Sequence, residues 1–437
     1  MKVEVFSNEF IKPSSPTPDH LRRYQFSFLD QLSPCSYNPF IYFYALNDEN
    51  ESNIANITLK LKKSLSQVLT LYYPLAGRFT NDNFVDCNDY GILFLEARVV
   101  KSQVSDVLSN TVPCELLNKL FPFQLDEIAE LPLGVQLNIF ESGGIALGVC
   151  ISHRLADALS CLVFIRSWMA IARGEENGVV RPEFVSVELF PPINTGGYDP
   201  HIFMSKLSTI VTKRFVFEAP IVEALRSKYD TEARTSEENN TKRPSRVEAV
   251  STFIWSRFMA ATKLESEPEK LYTVHHAVNL RSRFDPPLPE HSFGNYYRTS
   301  TTIPSDVSNL GGLAKKMGED VKKIDKGFVD KLRFRGDEFL ASLMKGTNNG
   351  YIKGEVVPLA FTSLCRFPLY EADFGCGKPI WVGSAARCYK NLVGYMDDKT
   401  GHGIEAYICL KPEEMAKLEA DTEFLALVSP TDPIIAS

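Results

Sequence analysis

The stretch GIALGVCISHRLADALSCLVFIRSWMAIARG, residues 144–174, decides how this chain reads. Its opening, Gly144–Ser152, is a short run of small and apolar residues, the pattern of a strand buried on both faces. His153 follows at once. From Ala156 to Ala172 the chain is apolar nearly all round, which predicts an interior helix, and Gly174 closes it. A rigid strand–helix corner therefore carries an imidazole, the side chain best suited to take a proton near neutral pH. Asp157 stands four residues on. That spacing puts two residues on one helical face, but His153 precedes the helix, so the spacing requires no contact between them. A satisfied polar residue at a corner accounts for these five positions as well as a catalytic base does.

Upstream, Val3 and Val5 alternate with charged Lys2 and Glu4, an early strand that Pro13, Pro16 and Pro18 do not let continue. Leu61, Leu65, Val68, Leu69 and Tyr72 share one face of a helix predicted over Asn56–Tyr73. A strand follows at Ile92–Val100. Downstream, Glu175–Gly197 has few regular signals and opens a linker. A strand at Lys213–Phe217 and a helix at Pro220–Tyr229 begin a second half. Asp230–Arg246, polar and charged, reads as a mobile surface loop. Ser245 and Glu248 have capping-box spacing, and Val247, Val250, Ile254, Phe258 and Ala261 give the inner face of the helix they start. Further segments are a strand at Tyr272–Val278, a helix at Leu310–Lys326, extended chain at Val356–Thr362 and Glu405–Cys409, and a last helix at Pro412–Ala420. The class is α/β with mixed sheets. The division predicted is a first domain over 1–185, a crossover over 186–212, and a second domain over 213–437. A segment near 355–380 is expected to pack back on the first domain.

Composition excludes several functions. Lys and Arg number 47 against 54 Asp and Glu, a net charge of −7, which disfavours general binding to nucleic acid or anionic lipid. No stretch approaches the ~20 apolar residues of a membrane span, and MKVEVFSNEFIKPSSP lacks the apolar core of a secretory signal. Nine cysteines without CxxC spacing fit reduced thiols and a cytoplasmic location. GxSxG, GxGxxG and Walker A loops are absent. His275 and His276 are adjacent, so on a strand they face opposite ways, and no metal site is expected. Arg281 and Arg283 just after that strand fit pairing with a buried acid such as Asp157 better than phosphate binding. Asp373-Phe374-Gly375-Cys376-Gly377-Lys378-Pro379 is a fixed turn. It carries DFG without the other parts of a kinase. Cys150 and Cys161 lie in apolar runs and read as core.

Together these segments resemble the plant BAHD acyl-CoA-dependent acyltransferases. HRLAD (153–157) matches the family's HxxxD and DFGCG (373–377) its DFGWG. YYPLAGR (72–78), NLRSR with PPLP (279–289), FGN (293–295) and GIEAY (403–407) follow the family's order. SSPTP (14–18), LDQL (29–32), VDCND (85–89) and FLEARV (94–99) are similar to its vinorine synthase-like, alkaloid-acetylating branch. Cys376 replaces the usual Trp of the second motif, and Leu364 stands where Trp is common.

The resemblance implies two similar-sized domains of mixed sheet, chloramphenicol-acetyltransferase-like, with a channel at their interface. It implies His153 as general base, supported structurally by Asp157 and Arg281. Asp373, Gly375 and Gly377 become structural supports of the second motif. Thr362 and Ser363 become candidate oxyanion or pantetheine contacts, and Ser251, Thr252 and Arg257 candidate contacts to the CoA phosphates. The implied enzyme is a cytoplasmic monomer that uses acetyl-CoA as co-substrate, with no resident cofactor or metal. It would acetylate a hydroxyl of a plant specialised metabolite such as a monoterpenoid indole alkaloid. A malonyl donor would want a cationic partner, which the sequence does not identify. Another acyl donor, a hydrolase, or a non-catalytic ligand-binding relative are the alternatives.

Overall fold

The structure is a computed structural model that describes residues 1–46, 53–80, 83–108, 114–126, 130–141, 143–198, 200, 209–234, 242–263, 270–348 and 354–428. In chain order its strands are β1 Lys2–Ile11, β2 Arg23–Gln25, β3 Tyr37–Tyr44, β4 Arg78–Phe79, β5 Phe84–Asp86, β6 Ile92–Val100, β7 Leu133–Phe140, β8 Ile145–Ser152, β9 Val211–Phe217, β10 Leu271–Asn279, β11 Tyr297–Thr302, β12 Val356–Ser363, β13 Trp381–Gly383, β14 Leu392–Asp397 and β15 Ile404–Leu410. They form two six-stranded mixed sheets, ordered β1-β6-β7-β8-β3-β13 and β11-β10-β12-β14-β15-β9, plus a small sheet β2-β5-β4. The α/β class with two domains of mixed sheet is thus the observed architecture.

β8 lies inside the first sheet, antiparallel to both β7 and β3. Ile145, Leu147, Val149 and Ile151 enter one apolar cluster and Ala146 and Cys150 another on the opposite face. Two buried faces are why its sequence is continuously apolar. Gly148 belongs to this packing, because a Cβ there would stand 2.2 Å from the Leu120 carbonyl oxygen. The helix Ala158–Arg173 then packs inside, with Trp168 Nε1 donating to Ser64 Oγ at 3.0 Å on the helix Ile54–Leu71. Gly174 ends it in the left-handed conformation, φ +75°.

The second sheet carries its own core beneath the helices Ala219–Arg234 and Arg246–Thr262. The helix expected to stop at Tyr229 continues to Arg234, so Asp230–Arg234 is helix and not loop. Ala233 extends the buried stripe of Val222, Leu225 and Tyr229 by one more turn. Residues 235–241 of that expected loop lie outside the described residues. The capping box of Ser245 and Glu248 is present. The helix expected over Leu310–Lys326 ends at Lys322, and Asp325 caps a separate helix, Lys326–Phe334.

The two halves interlock. After β12, the chain crosses to the first sheet, where Leu369, Ala372 and Phe374 enter its core. β13 pairs with β3 through Trp381↔Phe43 and Gly383↔Ile41. The chain then returns to the second sheet as β14. The packing segment therefore begins after β12 and extends beyond residue 380.

Candidate functional site

The corner after β8 is held from both halves. His153 N–H donates to the Ser36 carbonyl at 2.8 Å, and Asp157 N–H to that of Gly294 at 3.2 Å. Asp157 is the N-cap of the helix, accepting from Ser160 N–H at 2.9 Å. Its carboxylate also takes a two-pronged pair from Arg281, Nη1 to Oδ2 at 2.7 Å and Nη2 to Oδ1 at 3.1 Å. Tyr296 N–H reaches Oδ2 at 2.9 Å. Burial by itself would raise the Asp157 pKa; the Arg281 charge and these donors outweigh it and hold the carboxyl below its usual value. Arg281 is itself buried and donates to the Ser292 carbonyl. Asp157 and Arg281 thus clamp the corner, and among the described residues Asp157 makes no hydrogen bond to the imidazole.

The imidazole's partner is Asn295, last residue of FGN. Its Oδ1 stands 3.2 Å from His153 Nδ1. Its Nδ2 donates to the His153 carbonyl at 2.8 Å and to Asp30 Oδ1 at 2.9 Å. Both amide protons are engaged, so Oδ1 must be the group that faces the ring. An oxygen there requires a proton on Nδ1, which leaves Nε2 with its lone pair. Asp30 is held in turn by Ser27 N–H and Oγ–H at 2.9 and 2.7 Å. Burial pushes its carboxyl up to about 6 despite these donors. Burial lowers the His153 pKa, which favours the neutral ring. The sequence reading quoted LDQL and FGN without giving Asp30 or Asn295 a role. No spacing signal links them, since 265 positions separate the two.

Two cavities meet at His153. One, about 1100 Å³, is lined by Phe40, Leu159, Thr362, Ser363, Leu364, Phe367 and Tyr395 among others. The second, about 1280 Å³, is lined by Leu32, Tyr198, His275, Arg298, Phe339 and Leu343 among others. Asn38, His153, Ala277, Tyr297, Thr362, Arg387 and Leu392 line both. Since Asn38 comes from the first sheet and Ala277, Tyr297, Thr362 and Leu392 from the second, the passage runs between the halves. The half-buried imidazole, 5.2 Å from the Tyr297 ring, is open to both sides. Arg387, beside it, is neutralised by Asp126, with Nε and Nη2 at 2.8 and 2.7 Å from Oδ1.

The other expected residues divide. Thr362 is exposed where the cavities meet, and Ser363 adjoins it. Ser251 and Thr252 are corrected: both are fully buried in the helix Arg246–Thr262. Ser251 bonds Tyr395 and His276, and Thr252 donates back to the Glu248 carbonyl. Arg257 pairs with Glu423 at 2.7 Å and Asp421 at 3.5 Å. The three residues expected to meet the CoA phosphates are thus engaged by partners within the protein. Asp373, Gly375 and Gly377 do not line the passage. Asp373 Oδ1 accepts Gly375 N–H at 2.6 Å and Gly377 N–H at 3.0 Å, and both glycines need positive φ, +94° and +93°. The Asp373 carbonyl accepts from Arg173, last residue of the helix that Asp157 caps. One helix therefore ties both motifs together. Cys376 is half-buried against the first core, and burial pushes its thiol up to about 11. Cys150 and Cys161 are buried and their thiols are raised, so neither is a nucleophile.

Residues 1–425 match the family model described as the Transferase family. Stemmadenine O-acetyltransferase of Catharanthus roseus is 37% identical over 438 residues, covering 98% of each chain. Vinorine synthase of Rauvolfia serpentina is 36% identical over 434 residues, 98% of each. The crystal structure of vinorine synthase superposes with a TM-score of 0.83 over 99% of this chain and 100% of that one, at 34% identity. F. sporotrichioides TRI101, crystallised with coenzyme A and T-2, shares the fold at 18% identity and a TM-score of 0.72, covering 93% of this chain and 99% of that one.

Proposed function

Because the chain belongs to the Transferase family of BAHD acyltransferases, we propose that it moves an acetyl group from acetyl-CoA to a hydroxyl of a specialised metabolite, of the alkaloid type acted on by its relatives. The observation that carries this reading is the position of His153, a neutral imidazole with Nε2 free where two cavities meet.

His153 Nε2 takes the proton of the acceptor hydroxyl. The oxygen attacks the thioester carbonyl and forms a tetrahedral oxyanion, for which the Thr362 hydroxyl is a candidate donor. Collapse breaks the carbon–sulfur bond, and the imidazolium returns its proton to the departing thiolate. No acyl-enzyme is required. The donor enters by the cavity lined with Ser363, Leu364 and Phe367, beside which Arg366 is exposed to meet CoA phosphates. The acceptor enters by the other. Holding both reactants against one base supplies most of the acceleration. Asp157 and Arg281 position the corner, and Asp373 with Gly375 and Gly377 holds the second motif's turn. The same reading makes the enzyme a cytoplasmic monomer; nine cysteines without CxxC spacing fit a reducing compartment.

The test is thiol release from acetyl-CoA with a panel of alkaloid and terpenoid alcohols, products identified by mass spectrometry. Alcohol-dependent release with acetylated product is expected. Release without any alcohol would make the protein a hydrolase. No release from acetyl-, malonyl- or hydroxycinnamoyl-CoA would end the transferase reading.

A further inference from the structure

Three arginines are buried among the described residues: Arg214, Arg281 and Arg298. Arg214 pairs with Glu405 at 3.1 Å and Arg281 with Asp157 at 2.7 Å. Arg298, 8% exposed, has no carboxylate within ion-pairing distance among the described residues. Its Nη2 donates one long bond, 3.3 Å, to the Leu29 carbonyl. Among the described residues its Nε is buried with no partner, and no hydrogen bond reaches Nη1. The guanidinium lies 5.7 Å from the Tyr297 ring, on the wall of the cavity that the acceptor would occupy.

A buried cation without a counter-charge costs several kcal/mol. Among the described residues no carboxylate forms an ion pair that would offset that cost. Asp30 acts on Arg298 electrostatically, but its oxygens accept from Ser27 and Asn295. Arg387, which lines this cavity too, already has Asp126. A guanidinium offers a planar set of donors that matches a carboxylate, and two of its three nitrogens here have no acceptor among the described residues.

We propose that Arg298 binds a carboxylate carried by the acceptor, so that the substrate is a hydroxy acid rather than a neutral alcohol. The anion seats beside Tyr297 and turns the substrate hydroxyl toward His153 Nε2. This assignment rests on the acyl-transfer reading for the identity of the cavity, but the binding of an anion there can be measured apart from turnover.

The probes are 4-(hydroxymethyl)benzoate and its methyl ester, titrated by calorimetry into the full chain with CoA present. The wild type is expected to bind the carboxylate at least ~10-fold more tightly than the ester, the range of one charge-assisted contact. Arg298→Met should abolish that preference and leave ester binding unchanged, while Arg298→Lys should restore part of it. Equal affinity for the two probes, or no binding of the carboxylate, overturns the proposal. So does an Arg298→Met variant that weakens both probes alike. Should that variant not fold, the wild-type comparison decides alone. An Arg298-dependent preference for malonyl-CoA over acetyl-CoA would move the anion to the donor and likewise overturn the assignment. Carboxylate binding without thiol release from any acyl-CoA would instead sink the transferase reading and leave the anion site standing.

Discussion

Asn295 grips His153 at two points, its amide NH2 on the His153 carbonyl at 2.8 Å and its Oδ1 3.2 Å from Nδ1. With the second amide proton on Asp30, the amide cannot be turned without losing bonds. The ring is therefore both oriented and fixed in one tautomer, a task that Asp157, four residues away in sequence, does not perform.

His153→Ala removes the base while the clamp on Asp157 remains. The variant should fold, with a far-UV spectrum and melting temperature near wild type, and turnover should fall by ~10² or more. Near-normal turnover in single-turnover assays would remove His153 from the mechanism.

Asn295→Ala takes away the ring's orientation and one bond that favours its charged form. Turnover should drop by roughly 10²-fold or more, since loss of the tautomer-fixing partner of a catalytic histidine costs up to about 10⁴-fold. Because the active form is the neutral ring, wild-type activity is lost as pH falls through a pKa that burial holds below 6.5. The acid limb of kcat/KM should lie below that value, and lower still in Asn295→Ala. An unchanged acid limb would make Asn295 merely a packing residue.

Arg281→Met leaves the Asp157 carboxylate buried without its cation. A loss of about 3–5 kcal/mol is expected, read as a fall in urea midpoint, and Arg281→Lys should not recover it because the pairing is two-pronged. A stable but inactive Asp157→Asn protein would show instead that the carboxylate acts on the reaction.

Gly375→Ala should lower stability by about 1 kcal/mol or more. At φ +94° any side chain is strained, and a Cβ would displace the Lys60 ammonium. The turn does not line the passage, so kcat should hold. A selective loss of kcat in a protein of unchanged melting temperature would contradict this.

His275 and His276 bring an acid sensitivity of their own. Burial pushes each down to about 4. The unfolded chain takes up both protons near pH 6.5 while the folded one refuses them, so stability falls as pH drops from 6.5 toward 4. Asp30, held up at about 6, runs the opposite way but is a single group. His276→Gln should reduce the fall in urea midpoint between pH 7 and 4.5. An equal fall in both proteins would refute it.

The sequence by itself determined most of the elements and singled out the imidazole at the corner. β6 and the helix Pro412–Ala420 end where the residue pattern places them, and β8 and its helix declare themselves by continuous apolarity, because burial on every side leaves no room for polar residues. His153 was legible because it interrupts that run at a corner. Only the tertiary structure decided what surrounds it. Asn295 and Arg298 meet the imidazole or its cavity from remote positions, with Asp30 behind Asn295, and hydrogen bonds between distant segments leave no periodic trace in the chain. The same reason explains Ser251 and Thr252. Ser251 is covered by Tyr395 and His276 of the second sheet, and Thr252 turns back to the Glu248 carbonyl, so neither is open to a ligand. The passage, too, exists only in the folded chain, since its walls belong to both sheets and to neither alone.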